Sequence, residues 1–259
     1  MQEVIVFDLK GKKGLILGIA NTHSIAYGCA KAFTQAGAEI GMTYGRDKTR
    51  TYVEPIAEEL NADFLKQCDV SNDDAMEDLF AYIRDSWGRI DFVLHSIAFA
   101  PRDDLHGPVI NSSREGFTMA MDISCHSFAR TARLARPLMT DGGSLLTVSY
   151  YGGEKVVDHY SIMGPVKAAL ESTTRYLAAE LGEDGISVNA LSPGPILTRA
   201  SSGIKEFDHL ADEAIEHSPE HRLVTIEEVG AYAAFLVSDG ARSITGDVCY
   251  VDAGRHIML

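Results

Sequence analysis

The sequence predicts an α/β fold in which one doubly wound, parallel sheet of seven strands carries helices on both faces. Short apolar runs alternate along the chain with longer segments of helical periodicity, as in a parallel sheet built from β-α-β units. No internal repeat, low-complexity tract or Pro/Ser-rich linker interrupts this alternation. The 259 residues, 46% of them hydrophobic, are enough to bury one large core. We therefore predict a single domain over residues 1–259, with its ligand crevice at the carboxyl ends of the strands.

The individual elements follow from the same alternation. Apolar, β-branched or Leu-rich runs predict strands near Lys13–Gly18, Glu39–Tyr44, Asp63–Gln67, Phe92–Ser96, Ser144–Ser149, Ser187–Leu191 and Val248–Val251. Helical periodicity predicts helices over Ser24–Ala36, Arg50–Leu60, Asp73–Trp87, Glu115–Pro137, Ser161–Leu181 and Thr225–Ser238. Residues 198–219 depart from the alternation, because they offer only a short amphipathic segment at the carboxyl edge of the sheet. A long excursion at that edge is typical of a lid, so we expect this segment to cover the substrate.

Charge, hydropathy and cysteine spacing exclude several classes of function. A formal net charge of −14 argues against nucleic acid as a partner, because such binding depends on Lys and Arg meeting phosphates. No apolar run approaches the roughly 20 residues that span a bilayer, and Met1–Lys10 contains no apolar signal region. We expect a soluble, cytoplasmic protein that does not associate with membranes. The four cysteines lie far apart without clustered His residues, which predicts buried, reduced thiols and no metal site.

The turn after the first strand has the features of a dinucleotide pyrophosphate site. Gly18 begins the turn, small residues such as Ala20 follow, and the next helix begins near Ser24 and Ile25. Backbone amides and the helix dipole at such a turn favour phosphate charge, and we expect Gly28 to let the helix pack close to the strand. The spacing is not G-x-G-x-x-G, so the pattern alone is also compatible with an ordinary turn that binds no cofactor.

The ends of the other strands support a dinucleotide site. After the third strand, the Asp69 carboxylate is placed to accept a hydrogen bond from an adenine amino group. Small residues in the segment 96–100 allow the chain to pass close to a flat ligand, and the rigid turn 192–196 presents backbone groups for a carboxamide. No carboxylate lies at the tip of the second strand to bind a ribose hydroxyl, and Arg46, two residues further on, is either a ligand for a 2′-phosphate or a surface cation. We favour NADH and leave NADPH open.

A tyrosine and a lysine after the fifth strand predict the catalytic centre. We expect a helix to begin at Tyr160, and Lys167, seven residues later, then lies about two turns on and can share its face. An ammonium near a phenol lowers the pKa of the phenol and stabilises negative charge on a bound oxygen. Lys167 is also placed to hold a nicotinamide ribose. The alternative is that Tyr160 only packs and Lys167 is exposed.

Nearly the whole chain, from about Leu9 to Val251, resembles the enoyl-acyl-carrier-protein reductases of bacterial fatty-acid synthesis, which have a Rossmann fold. The motifs that carry the resemblance are Gly18…Ser24-Ile25-Ala26-Tyr27-Gly28, His95-Ser96-Ile97-Ala98-Phe99-Ala100-Pro101, Ser149-Tyr150, Tyr160…Met163-Gly164…Lys167 and Ser192…Gly194-Pro195-Ile196. The spacing of Tyr160 and Lys167 is the most specific of them. Ketone-reducing short-chain dehydrogenases, which belong to the same superfamily, usually place the lysine four residues after the tyrosine, where this chain has Gly164.

This resemblance implies that the protein reduces trans-2-enoyl thioesters by hydride transfer from NADH. Tyr160 would stabilise the enolate, Lys167 would hold the nicotinamide ribose, and Tyr150 would line the pocket near the acyl chain. The implied cofactor-binding residues are Gly18, Ala20, Ser24, Ile25, Asp69, Val70, Ser96, Ile97, Ala98, Lys167, Gly194, Pro195, Ile196 and Thr198. The implied substrate-binding residues are Phe99, Ala100, Tyr150, Tyr160, Met163, Ala200, Ile204 and Phe207, and the family also implies a homotetramer.

Some positions depart from the family pattern. Ala98 replaces a glycine of some relatives, and Glu206, Asp208 and the net charge of −14 are unfavourable for docking an acidic carrier protein. Coenzyme A therefore remains an alternative acyl carrier. Two other functions also remain open: a ketone- or alcohol-specific short-chain dehydrogenase, with Thr147 as the hydroxyl partner, and a non-catalytic dinucleotide sensor.

Overall fold

A computed structural model describes residues 7–198 and 207–258. All seven predicted strands are present and form one parallel sheet in the order β3-β2-β1-β4-β5-β6-β7. Their bounds are Lys13–Leu17 (β1), Glu39–Tyr44 (β2), Phe64–Gln67 (β3), Phe92–His95 (β4), Gly143–Val148 (β5), Ile186–Pro193 (β6) and Val248–Val251 (β7). The order reverses at β1, which pairs with β2 on one side and β4 on the other. The predicted doubly wound Rossmann fold is confirmed.

Helices connect the strands. Their bounds are Ile25–Gln35 (α1), Asp47–Glu59 (α2), Asp73–Ser86 (α3), Arg102–His106 (α4), Arg114–Met121 (α5), Ser127–Ala135 (α6), Met163–Leu181 (α7), Phe207–His217 (α8) and Ile226–Leu236 (α9). α2 begins earlier than predicted, because Thr49 and the Arg46 backbone form hydrogen bonds that start the helix. α8 lies within the amphipathic segment expected between residues 198 and 219.

The long helix predicted over Glu115–Pro137 is interrupted. A π-helical turn over Asp122–His126 separates α5 from α6, and a 3-10 turn over Arg136–Leu138 ends the run. Such turns are frequent at functional sites. Hydrophobic periodicity continues through a π turn, so the sequence pattern did not reveal the interruption. The short helix α4 was also not predicted.

The two faces of the sheet carry separate apolar layers. Buried residues of α3, α6 and α7 pack on one face, together with Leu15 and Val93 from the strands. Buried residues of α1, α2 and α9 pack on the other, where the rings of Phe33 and Phe92 lie 4.8 Å apart. Both faces of the strands are therefore buried, as expected of a parallel sheet. The helices leave the ends of the strands uncovered, and the loops there can form a ligand site.

Gly28 has a different packing partner from the one predicted. A Cβ atom on Gly28 would lie 2.3 Å from the Ile226 carbonyl oxygen, and one on Gly230 would lie 2.3 Å from the Gly28 carbonyl oxygen. The two glycines let α1 cross α9 at backbone contact. The expectation that Gly28 brings its helix close to the strand was wrong, because the sequence does not reveal which helices are neighbours on a face.

All four cysteines are buried and free, as predicted. Within the described residues, no group of three or more His, Cys, Asp or Glu side chains is arranged to hold a metal ion. None of the helices in that part of the chain is both long and apolar enough to cross a membrane.

Candidate active site

A cavity of about 430 Å³ lies at the carboxyl ends of β4, β5 and β6. It brings together most of the predicted site residues, although they come from distant parts of the chain. Its lining residues are Ile25, Ser96, Ile97, Ala98, Phe99, Ala100, Leu105, Val148, Ser149, Tyr150, Tyr160, Met163, Lys167, Pro193, Gly194, Pro195, Ile196, Thr198 and Leu210. The position agrees with the crevice expected of a doubly wound sheet.

Two tyrosines and a lysine meet in one wall of this cavity. The rings of Tyr150 and Tyr160 are buried and lie edge to face, with their centroids 4.9 Å apart. Lys167 is buried on α7, and its Nζ donates a 2.6 Å hydrogen bond to the Val148 carbonyl oxygen. The alternative of an exposed Lys167 is therefore wrong. All three side chains are buried and line the same cavity.

The sequence predicted that a helix begins at Tyr160, and this prediction was wrong. α7 begins at Met163, and Tyr160 lies in the preceding turn between His159, with φ of 61°, and Ser161, with φ of 46°. Both neighbours are in the left-handed region, which residues other than glycine rarely adopt. Such backbone persists only where surrounding contacts enforce it, and it often occurs at active sites.

The pKa of Tyr160 also differs from the prediction. Burial, and secondarily the Glu171 carboxylate, raises the pKa of Tyr160 above its ordinary value of 10.0. Burial lowers the pKa of Lys167 from 10.5 to about 8, against the opposing effect of Glu171. The expectation that Lys167 lowers the phenol pKa was wrong, because burial and the Glu171 carboxylate both raise it. Tyr160 is thus a neutral phenol near pH 7, able to donate a hydrogen bond.

A buried carboxylate lies behind the cavity wall that carries Tyr150 and Tyr160. Ser149 lines the cavity, and its hydroxyl donates a 2.6 Å hydrogen bond to Glu171, one turn after Lys167 on α7. A Cβ atom on Gly153 would lie 2.9 Å from the same carboxylate, so the turn after Tyr150 packs directly on it. Burial raises the pKa of Glu171 in spite of the Ser149 hydrogen bond.

Buried polar groups hold the loop after β4 that forms the opposite wall. The Ser124 hydroxyl accepts from the Phe99 N–H at 2.9 Å and donates to the Phe99 carbonyl at 3.0 Å. Ser124 belongs to the π-helical turn, which explains why helix periodicity did not identify it. Below the loop, His95 Nε2 lies 2.7 Å from the Ser127 hydroxyl, and burial lowers the pKa of His95 to about 3. His95 is therefore a neutral structural residue at neutral pH.

The turn after β1 fits a dinucleotide pyrophosphate. Gly18 has φ of 107°, and a Cβ atom there would lie 2.0 Å from the Ser96 carbonyl oxygen. The buried Ser24 hydroxyl accepts from the N–H groups of Ala20 and Asn21, at 3.0 and 3.1 Å, and makes no capping bond to α1. The turn is tight, and N–H groups at the start of α1 remain available to an anion.

Several predicted residues lie away from the cavity or outside the described residues. Asp69 is exposed, and its Oδ1 accepts from the Ser71 N–H at 3.0 Å and from the Ser71 hydroxyl at 2.7 Å. Val70 is buried, and its carbonyl accepts from Arg130 at 2.7 Å. Ala200 and Ile204 lie outside the described residues, and Phe207 is described only as the first residue of α8.

Five cavity residues were not among the individual residues predicted to bind cofactor or substrate, and they are Leu105, Val148, Ser149, Pro193 and Leu210. Val148, Ser149 and Pro193 follow or end predicted strands, and that position was a usable signal. Leu105 and Leu210 come from α4 and α8, and nothing in the sequence placed these helices at the cavity. Glu171 carried a weaker signal, because it is an acidic residue on the buried face of a helix that also carries Lys167.

The fold and this site together define the class of short-chain dehydrogenases/reductases. The family model for enoyl-(acyl carrier protein) reductase matches residues 18–256. The chain is 48% identical to an NADH-dependent enoyl-acyl-carrier-protein reductase of Rhizobium meliloti, over 96% of this chain and 91% of the relative. The chain belongs to the enoyl-acyl-carrier-protein reductase family.

Solved structures agree with this assignment. The NADH-dependent enoyl-acyl-carrier-protein reductase of Aquifex aeolicus superposes with a TM-score of 0.94 at 47% identity, covering 96% of this chain and 98% of that one. The enzyme of Anaplasma phagocytophilum, solved in complex with NAD, superposes with a TM-score of 0.93 at 44% identity, covering 96% of this chain and 95% of that one. Both similarities extend over nearly the whole chain.

Proposed function

We propose that this protein reduces the double bond of trans-2-enoyl thioesters with NADH, as a step of fatty-acid biosynthesis. The observation that carries the proposal is the buried group of Tyr150, Tyr160 and Lys167 in one cavity wall, in a chain of the enoyl reductase family. A bound reduced nicotinamide supplies a hydride to the β-carbon of the enoyl group, which leaves negative charge on the thioester oxygen.

Tyr160 is the residue that stabilises this oxygen. Its raised pKa keeps the phenol protonated at neutral pH, so its hydroxyl donates a hydrogen bond to the developing enolate. The site is preorganised, because Tyr160 is buried against Tyr150 and held by left-handed backbone on both sides. The α-carbon then takes a proton, for which water is the simplest source.

Lys167 and the cavity loops hold the dinucleotide. Lys167 would bind the nicotinamide ribose, and its positive charge would stabilise the negative charge that develops on the thioester. The turn 18–25 would hold the pyrophosphate, Asp69 and Val70 would bind the adenine, and the loops 96–98 and 194–198 would hold the nicotinamide. NADH is the proposed cofactor and NADPH the alternative, because Tyr44 at the tip of β2 is not a carboxylate.

The apolar part of the cavity receives the acyl chain. Phe99, Ala100, Tyr150 and Met163 line it, as does Leu210 of α8. The position of Leu210 supports the proposal that residues 198–219 form a substrate-covering segment. Ala200, Ile204 and Phe207 are proposed substrate residues of that segment by family resemblance, and residues 1–259 are proposed to act as one domain.

The proposal also covers the carrier of the acyl group and the oligomeric state of the protein. The acyl group arrives on acyl carrier protein, with coenzyme A as the alternative thioester. We propose a homotetramer in the cytoplasm, on the basis of family resemblance, without nucleic-acid or membrane partners.

The test is turnover of matched substrates. Loss of NADH absorbance is followed with a trans-2-enoyl thioester and with the 3-ketoacyl thioester of equal chain length, and NADPH is offered in parallel. Turnover confined to the enoyl substrate supports the proposal. Preferential reduction of the ketone would identify a ketone reductase, and NADH binding without any turnover would favour the sensor.

A further inference from the structure

Ser161 makes an unusual set of contacts for a residue next to the catalytic tyrosine. Its hydroxyl lies 3.0 Å from the Asp104 carbonyl oxygen and 2.5 Å from the Gly107 carbonyl oxygen. A hydroxyl has one hydrogen, so the two carbonyls share it or take it in turn. The contact joins segments that are more than fifty residues apart in the sequence.

Both carbonyls belong to the α4 segment, which is a wall of the active site. α4 follows the loop 96–100 directly, and Leu105, between the two carbonyl residues, lines the cavity. This segment is itself anchored. The Asp104 carboxylate accepts from the Ser113 N–H at 2.5 Å and from the Ser113 hydroxyl at 3.1 Å, at the start of α5. Ser161 is therefore bonded to an anchored part of the cavity wall.

The backbone of Ser161 has an unfavourable conformation that these contacts help to maintain. Its φ of 46° lies in the left-handed region, where serine has no intrinsic preference to be. Ser161 lies two positions before the first residue of α7, on the N-terminal side of that helix, so the left-handed caps that end helices do not account for its backbone. A hydrogen bond to a fixed partner is the kind of contact that maintains such backbone.

We propose that Ser161 is a positioning residue for the reaction, whose hydroxyl ties the turn carrying Tyr160 to the α4 wall and so sets where the Tyr160 phenol meets the thioester oxygen. This inference rests on the proposed function of Tyr160. Ser161 itself contacts neither substrate nor cofactor in this account. Its effect is therefore on kcat, because orientation of the phenol matters at the chemical step, whereas NADH binds to other parts of the site.

Three substitutions separate the hydrogen bond from the backbone conformation. Ser161→Ala removes the donor and keeps the cost of left-handed backbone. Ser161→Gly removes the donor and relieves that cost. Ser161→Asn keeps a donor, in its side-chain NH2 group, and asparagine tolerates left-handed backbone well. Ser86→Ala is the matched control, because that exposed serine donates a 2.8 Å bond to the Tyr82 carbonyl far from the cavity.

The experiment measures kcat and KM with a trans-2-enoyl thioester, the dissociation constant of NADH and the melting temperature for each variant. We expect kcat to fall on the order of tenfold or more in Ser161→Ala and Ser161→Gly, with NADH binding unchanged and Ser161→Asn close to the parent. Parent-like kcat in Ser161→Ala, or rescue by Ser161→Gly, would overturn the proposal, since the bond would then not be what positions the turn. Losses that follow NADH affinity or the folded fraction would also overturn it.

Tyr160→Phe is assayed in the same series. If its kcat equals that of the parent, the proposed function of Tyr160 fails and the role of Ser161 fails with it. If Tyr160→Phe loses activity while Ser161→Ala does not, only the role of Ser161 fails.

Discussion

The Ser149 hydroxyl donates a 2.6 Å hydrogen bond to the Glu171 carboxylate, directly behind the wall that carries Tyr150 and Tyr160. Glu171 is buried, one turn from Lys167, so an acidic and a basic group share the interior of the active site. The carboxylate raises the pKa of Lys167, against the larger effect of burial. Glu171 therefore links Ser149, at the end of β5, to the charge state of Lys167.

The pH dependence of activity tests this relationship. Lys167 has a pKa of about 8, so we expect kcat/KM to fall as pH rises through that value and the ammonium is lost. The groups facing Lys167 are Glu171, the Cys125 thiol and the neutral His95. Because Glu171 raises the Lys167 pKa, Glu171→Gln should move the alkaline limb to lower pH.

Glu180→Gln is the control, since Glu180 is exposed near the far end of the same helix. Its pH profile should match the parent. An alkaline limb that stays in place in Glu171→Gln would show that the carboxylate does not act on Lys167.

His95 should make the protein sensitive to acid. Its pKa is about 3 in the folded state and 6.5 ordinarily, because it is buried. Between those values the unfolded chain binds a proton that the folded protein does not, so stability is lost as pH falls from 6.5 towards 3. The loss is on the order of a few kcal/mol. Urea unfolding from pH 7 to pH 4 measures it.

His95→Gln should flatten this acid dependence, even if the variant is less stable at pH 7, whereas replacement of the exposed His23 should leave the slope unchanged. An equally steep loss in His95→Gln would assign the acid sensitivity to other groups.

The crossing of α1 and α9 should not tolerate a methyl group. Gly28→Ala places a Cβ atom 2.3 Å from the Ile226 carbonyl oxygen, which forces the helices apart. We expect a loss of about 1–3 kcal/mol in the free energy of unfolding, measured by urea titration. Gly182→Ala is the matched control, because no atom lies within 4 Å of a Cβ built there. Equal stability of the two variants would contradict the close helix contact.

The negative charge of α8 should make KM for the carrier-bound thioester depend on salt. α8 contributes Leu210 to the cavity and exposes Asp208, Asp212, Glu213 and Glu216. Repulsion of an acidic carrier protein should weaken as salt rises, so KM for the carrier-bound thioester should fall between about 10 mM and about 150 mM salt. A neutral short thioester should show no such change. A carrier KM that rises with salt would indicate attraction from another surface.

The sheet could be predicted closely from the sequence because its signal is local. Each strand is a short apolar run, and turn residues such as Gly18 mark where strands end. The carboxyl edge then followed from topology, and residues of the loops 96–100 and 193–198 were found at one cavity. Every strand carries its own apolar run and turn residues, so an error in the bounds of one strand did not affect the others.

The parts that could not be predicted depend on contacts between distant residues. The turn that holds Tyr160 depends on Ser161 reaching α4, and the π-helical turn with Ser124 lies inside a continuous hydrophobic pattern. The pKa of Tyr160 depends on burial, which the spacing to Lys167 does not express. Gly28 was recognised as a packing glycine, but its partner is a helix from the other end of the chain.

The most direct test of the account is the kcat of Tyr160→Phe with NADH and a trans-2-enoyl thioester, measured beside the dissociation constant of NADH. The substitution removes one hydroxyl from a buried ring and keeps its packing against Tyr150. We predict that kcat falls on the order of 100-fold or more, as for loss of one oxyanion donor, while NADH binding is unchanged. A variant that binds NADH and keeps the parent kcat would contradict the role of Tyr160 as the donor to the enolate oxygen.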